Sequence, residues 1–547
     1  MLKNIIIFSL AIFFCKCDSN TKEKVDLILH NAVIYTVDSA FTKHEAMAVR
    51  NGTIVEVNST EIILKKYYSE KEINVEGKTV LPGLIDAHCH FTGYATDMWK
   101  CNLTGTNSFK EVIQKIKIYS ENAQQDWLYG RGWDQNDWEK KEFPDKEELD
   151  KLFPNRPVFL KRIDGHAALV NQKALDLAMV NEKTKIDGGS IELKNGKPTG
   201  ILIDNAMDLV DRIIPLPSDS MAIRYHQKAE QTCFSYGLTQ VHDCGISEHT
   251  VELLEQAIQL KKLRMKVFAL LSDDSSYYDK WINKGVYKFK NLTVGGFKVY
   301  ADGALGSRGA CLLHPYSDKK NWSGFMLTSK SNVENIAEKL LNSNMQLCTH
   351  AIGDSANRQT LNIYGNYLKG KNNRRWRIEH AQVVNEKDFG LFEEFSIIPS
   401  VQPTHATSDM YWAGDRLGEE RIANAYAYKK LLHTNGVLPL GTDFPVEDIS
   451  PFKTFYAAVA RKDAKGFPEK GFQFDNALTR EEALRGMTIW AAYACFDEQQ
   501  KGSLEKGKVA DFIILDTDIM NCASEKIIQA KVISNYINGE NVFENKK

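Results

Sequence analysis

Two histidines one residue apart open the chemistry of this sequence. In Leu84-Ile85-Asp86-Ala87-His88-Cys89-His90 the apolar run reads as a strand. Alternate side chains of a strand share a face, so His88 and His90 can converge on one ion while Cys89 points away. An isolated pair of this kind is a weak signal. Its weight comes from Lys298, His350, His380 and Asp443, each of which falls at the end of a later apolar run. Imidazole and carboxylate together suit zinc or another borderline divalent metal, and an open coordination position permits catalysis.

Lys298 stands apart from the others. It lies in Thr293-Val-Gly-Gly-Phe-Lys-Val-Tyr300, an apolar strand where an ammonium is expensive to bury and its pKa is expected to fall. One reading is an ion pair with Asp302 or Asp354. The other is that the neutral amine takes up carbon dioxide, giving a carbamate whose two oxygens bridge two metal ions. The company of the other candidates favours the carbamate, and two metals about 3.5–4 Å apart would hold a bridging hydroxide.

These residues need elements to position them. Short apolar runs ending in a polar residue or glycine occur at 80–87, 238–242, 266–271, 292–300, 345–350, 376–380, 396–402 and 437–442. Helix-like periodic stretches at 251–263, 332–342, 355–368 and 421–433 lie between several of them. Eight β-then-α units predict an α/β fold, a parallel (β/α)₈ barrel, with its active site at the C-terminal ends of the strands. The interval after the first run is too long for one crossover, so an inserted subdomain, about 94–235, is expected to act as a lid over the barrel of 81–502. Strand-like segments at both ends, 25–80 and 503–547, bury too little alone and are expected to share one small β-sandwich.

The remaining composition mostly excludes. With 69 Lys+Arg against 71 Asp+Glu there is no whole-molecule field to draw in nucleic acid. The ten cysteines include no CxxC pair, which argues against a structural zinc ribbon. At the N-terminus, Lys3 and an apolar stretch at 5–14 are too short to span a bilayer and read as a secretory signal over 1–17. Cys15 or Cys17 after that stretch resembles a lipoprotein processing site, and 18–24 reads as a polar tether. The expectation is an exported, periplasmic protein held at a membrane surface by a lipid anchor.

Taken together, Leu81-Pro-Gly-Leu-Ile-Asp-Ala-His-Cys-His90, Phe297-Lys-Val-Tyr-Ala-Asp-Gly-Ala-Leu-Gly-Ser307, Thr349-His-Ala-Ile-Gly-Asp354, Arg377-Ile-Glu-His-Ala-Gln382 and Gly441-Thr-Asp-Phe-Pro-Val446 resemble the amidohydrolase superfamily. The resemblance is to its family 3 branch, which includes enzymes similar to N-substituted formamide deformylase. It extends to Gly132-Trp-Asp134, Asp164-Gly-His166 and Gly507-Lys-Val-Ala-Asp-Phe512, nearly the whole chain after the signal. The resemblance implies a distorted barrel, a composite sandwich and two zinc-like ions. His88, His90 and Asp443 would bind one ion, His350 and His380 the other, with carbamylated Lys298 as the bridge.

On that reading Asp443 acts as general base and then general acid in hydrolysing an N-acyl or N-formyl amide of a small molecule. Hydrolysis of a cyclic amide or ester on the same metals is the alternative, and a solute- or metal-binding lipoprotein the non-enzymatic one. A mononuclear deaminase is disfavoured, because Gly353 stands three residues after His350 and Lys298 is present. Trp133, Asp134, His166, His242, Asp302 and Arg308 are further candidates for contacting substrate, against ordinary roles in packing and ion pairing. Arg308 could bind a substrate carboxylate, and Tyr411 and Trp412 could line an apolar wall.

Overall fold

In the computed structural model, which describes residues 22–123, 126–215 and 217–545, seven parallel strands make up the central sheet together with one short antiparallel strand, Tyr287–Phe289, at its side. The seven follow one another around the barrel. They are β1 (Leu84–Cys89), β2 (Leu238–Ile246), β3 (Lys266–Ser272), β4 (Leu292–Tyr300), β5 (Gln346–Ala351), β6 (Arg377–His380) and β7 (Ile398–Ser400), paired in that order. β1, β5, β6 and β7 are buried at every residue. That is the pattern of strands covered on both faces, and the polar side chains they carry, such as Asp86, His88, Arg377 and Glu379, are buried with them.

The eighth run closes the ring without becoming a regular strand. Ala87 N donates to Leu440 O (3.1 Å), Gly441 N to Val401 O (3.0 Å) and Asp443 N to His88 O (2.8 Å), joining this segment to β1 and β7. The helices between strands follow their apolar stripes. Glu248–Gln259, for example, is capped by Ser247 and buries Val251, Leu254 and Ile258. The single helix expected over 421–433 is instead two, Ala413–Ile422 and Tyr428–Asn435. Between them Tyr426 N donates to Gln382 O (2.7 Å), which bends the chain back toward β6.

The first apolar run is shared between two domains. Thr79–Pro82 pairs antiparallel with Phe512–Leu515 in a six-stranded sheet drawn from both termini, and the chain passes at Gly83 into β1. A four-stranded sheet from Leu27 to Asn74 packs against it around Leu29, Ile34, Val49, Val80, Phe512 and Ile514. Within the interval expected for the insertion, a six-stranded sheet runs from Cys101 to Asp204. The later helix Asp219–Ser235 packs on β2 and on Phe91–Asp97. The expected signal segment, 1–17, and the two candidate lipid sites in it, Cys15 and Cys17, lie outside the described residues. Among the described residues no helix is long and apolar enough to cross a membrane.

Candidate metal centre

The strand ends bring five of the expected residues to one cavity of about 520 Å³, lined by His90, Lys298, His350, His380 and Asp443. His88 lies beneath them, fully buried. Two groups of ligand atoms each fall within 4.8 Å of one another: His88, His90 and Asp443, and His380, His405 and Asp443. Asp443 Oδ1 is 3.4 Å from His88 Nε2 and 3.3 Å from His90 Nε2, and its Oδ2 is 3.2 Å from His405 Nε2. His405 is the residue that the sequence reading misses. It sits three residues beyond the seventh apolar run, on the helix Pro403–Asp409, and no strand periodicity marks it. His350 falls outside both triads but packs its ring on that of His380, centroids 4.5 Å apart.

The ring nitrogens are sorted by what stands behind them. His88 Nδ1 is 2.6 Å from Glu379 Oε2, and His380 Nδ1 is 2.7 Å from Gln402 Oε1, so Nε2 is the free ligand atom of each. His350 Nε2 faces Gly303 O at 3.5 Å, which leaves Nδ1 toward the cavity. Glu379 is in turn paired to Arg377 at 2.7 Å, and both are fully buried. His380 and Asp443 hold φ of 74° and 63°, and Ala381 one of 42°. Such left-handed backbone at non-glycine residues collects where a site dictates side-chain direction.

Burial lowers the pKa of His90 to about 4 and pushes His350 and His380 below the ordinary imidazole value, favouring the neutral form that ligates metal. Burial works against ionisation of Asp443, but His405, His88 and His90 outweigh it and hold the carboxyl well below its usual range. Lys298 runs opposite to the sequence expectation. Burial acts to lower its pKa, yet Tyr300, Cys244, Glu379 and Asp443 together raise it. The alternative ion pair with Asp302 or Asp354 does not form either. Buried Lys298 Nζ makes no hydrogen bond, and the same holds for His88 Nε2, His405 Nε2 and Asp443 Oδ1. Orphaned donors and acceptors at one cavity fit a group that needs them, and a set of imidazoles around a carboxylate fits divalent metal.

The weaker candidates divide. Asp134 and His166 line the cavity from the inserted subdomain. Asp134 there shares the Arg162 guanidinium with Asp164. Trp133 does not line it: its indole is buried and donates to Leu160 O (2.7 Å). His242 is inside the barrel, because β2 continues to Ile246 and leaves it mid-strand, where its Nδ1 meets Arg377 Nη1 at 3.1 Å. Asp302 is a buried brace that accepts the amides of Ile352, Gly353 and Cys311. Arg308 turns away from the cavity and grips Asp318 with two hydrogen bonds of 3.1 and 2.9 Å. Trp412 lines the cavity, whereas Tyr411 is exposed and bonds Asp463.

A family model described as "Amidohydrolase family" matches residues 71–543. The chain belongs to the amidohydrolase family. Its relatives include Protein LONG AFTER FAR-RED 3 of Arabidopsis thaliana, 33% identical over 95% of this chain and 91% of the plant protein. N-substituted formamide deformylase of Arthrobacter pascens is 27% identical over 94% of this chain and 97% of its own. An uncharacterised metal-dependent hydrolase from Pyrococcus horikoshii OT3 superposes with a TM-score of 0.75 at 28% identity, covering 91% and 99% of the two chains. An amidohydrolase-family chain with these clusters is a metal-dependent hydrolase.

Proposed function

We propose that this amidohydrolase cleaves a non-peptide C–N bond, an N-acyl or N-formyl amide of a small molecule, at a binuclear centre. The observation behind the reading is the pair of ligand triads that share Asp443, with the orphaned Lys298 Nζ buried beside them. His88, His90 and Asp443 would hold one ion and His350 and His380 the other, with His405 also in reach of the second. Lys298, as its carbamate, would lie between them. Bound divalent metal supplies water activation and polarisation of the substrate carbonyl.

The chain's own residues do the rest. Glu379 and Gln402 fix which imidazole nitrogens face the centre. Asp443 Oδ2, held as a carboxylate and facing His405, is placed to take a proton as the new bond to carbon forms. It then returns that proton to the departing nitrogen. The inserted subdomain forms one wall of the cavity through Asp134 and His166, which limits water access and the size of substrate. The deformylase relative makes N-formyl amides the first substrates to try.

The test is metal quantitation of wild type, Lys298→Ala and Asp443→Asn beside a panel of amides, cyclic amides and esters. Wild type is expected to hold two metals and to turn over an amide. Lys298→Ala should hold one or none, and Asp443→Asn should keep metal while losing turnover by about 10²-fold or more. A wild-type stoichiometry of one, or esters as the sole substrates, would sink the reading.

A further inference from the structure

One polar pair at the cavity has no part in holding metal. His166 lines the cavity from the loop between two strands of the inserted sheet, Val158–Arg162 and Ala167–Val170. Its ring stands 5.3 Å, centroid to centroid, from that of His350. Its Nδ1 is 2.6 Å from Asp204 Oδ1, so Nε2 is the only polar atom of the ring left for a ligand.

Asp204 is built into its place at some cost. It is buried, its Oδ2 has no hydrogen-bond partner, and its backbone sits at φ 50°, ψ −127°, a conformation that glycine adopts freely and other residues resist. The carboxylate wedges into the loop that follows β4. A Cβ on Gly303 or Gly309 would lie 2.8 or 2.7 Å from Oδ2. The inserted subdomain is thus keyed to the loop after the Lys298 strand through the same carboxylate that holds His166. A residue kept in strained backbone to hold a histidine at a cavity wall is what pre-organisation requires, and packing alone does not explain it.

We infer that His166 is a substrate-contacting residue delivered by the inserted subdomain, its ring held by Asp204 so that Nε2 hydrogen-bonds the amide group lying over the metal centre. The inference rests on the cavity being a carbonyl-hydrolase site. It adds a polar contact from outside the barrel, with Asp204 as its positioning residue.

Four proteins test it: metal-loaded wild type, His166→Phe, Asp204→Asn and Asp204→Gly. Each is read by steady-state kinetics, by metal content and by calorimetric binding of acetohydroxamate, an amide-like ligand that the centre need not hydrolyse. His166→Phe should keep its metal and lose about 10-fold in acetohydroxamate affinity and about 10- to 100-fold in kcat/KM, the scale of one buried polar contact. Asp204→Asn, which still offers Nδ1 an oxygen, should lose less. Asp204→Gly should unfold no earlier than wild type, since glycine accepts the backbone, yet match His166→Phe in both functional readouts. Wild-type affinity and turnover in His166→Phe overturn the inference while leaving the amide reading intact. So does loss of metal in that variant, or an Asp204→Gly protein that is less stable but fully active. Weakened binding in His166→Phe, with no amide turned over by wild type, supports the inference and fails the amide reading. A wild type that neither binds nor hydrolyses overturns both.

Discussion

Glu379 illustrates how a residue that touches neither substrate nor solvent can govern the site. Its Oε2 takes the Nδ1 side of His88 at 2.6 Å, and its other oxygen is paired to Arg377. Burial works against the charge of Glu379, but Arg377 and His88 outweigh it and keep the carboxylate ionised. Glu379→Gln would leave Arg377 buried without its counter-charge and would loosen the tautomer of His88. Metal affinity should fall about 10- to 100-fold, the usual cost of losing a carboxylate behind a ligating histidine. Titration with a competing chelator measures this, and unchanged affinity would show that the strand alone orients His88. At this scale the sequence is a good guide only where an apolar run ends on the functional residue. His350 and His380 are legible in that way, and His88 and Lys298 stand within two residues of such an end. Asp204 is not: it stands 38 residues from His166, and only the antiparallel register that sets Ala167 opposite Ile203 brings the two together.

Among the elements, the segment after Leu438 does the work of an eighth strand with little of a strand's regularity. Its closeness to β1 depends on Gly441. A Cβ there would meet His88 N at 2.5 Å, His88 O at 2.6 Å and Asp86 Oδ1 at 2.9 Å, mostly backbone atoms that cannot yield. Asp86 tightens the same seam by accepting from Thr442 N (3.1 Å) and Thr442 Oγ1 (2.7 Å). Gly441→Ala must therefore push Asp443 away from His88 and His90. The expected result is a loss of about 1–3 kcal/mol of stability, as for other overpacked sites, together with weaker metal binding. Thermal melts with and without added metal check both parts, and a variant that melts and binds like wild type would mean that the ring closes by other contacts. The eight units are legible from the alternation of runs and periodic stretches. Their boundaries are less so, because Thr79–Pro82 and the start of β1, Leu84-Ile85, are both apolar and buried, and a change of sheet at Gly83 leaves no mark in hydrophobicity. His242 is misplaced for the same reason, since the polar residues after it still belong to β2.

For the molecule as a whole, the question is whether the composite sandwich and the barrel melt together. The sandwich is stitched from both chain ends and docks against the base of the barrel. Asn535 Nδ2 donates to Phe234 O (3.1 Å) and Leu238 O (3.2 Å). Lys266, the first residue of β3, reaches out of the barrel to Asp511 Oδ2 (2.5 Å) and Asn538 Oδ1 (2.9 Å). The Lys266 and Asp511 side chains are only 9% and 5% exposed, so removing one partner strands the other in a poorly solvated site. Lys266→Ala should therefore cost about 3–5 kcal/mol, the range for breaking a buried pair. The centre lies at the opposite ends of the strands, so metal content and turnover at 25 °C should stay at wild-type levels. Calorimetry should record one transition at a lower temperature if the two sheets of the sandwich and the barrel form a single cooperative unit. A new early transition that leaves the metal in place would instead make the sandwich an independent folding unit joined to a barrel that holds its centre alone.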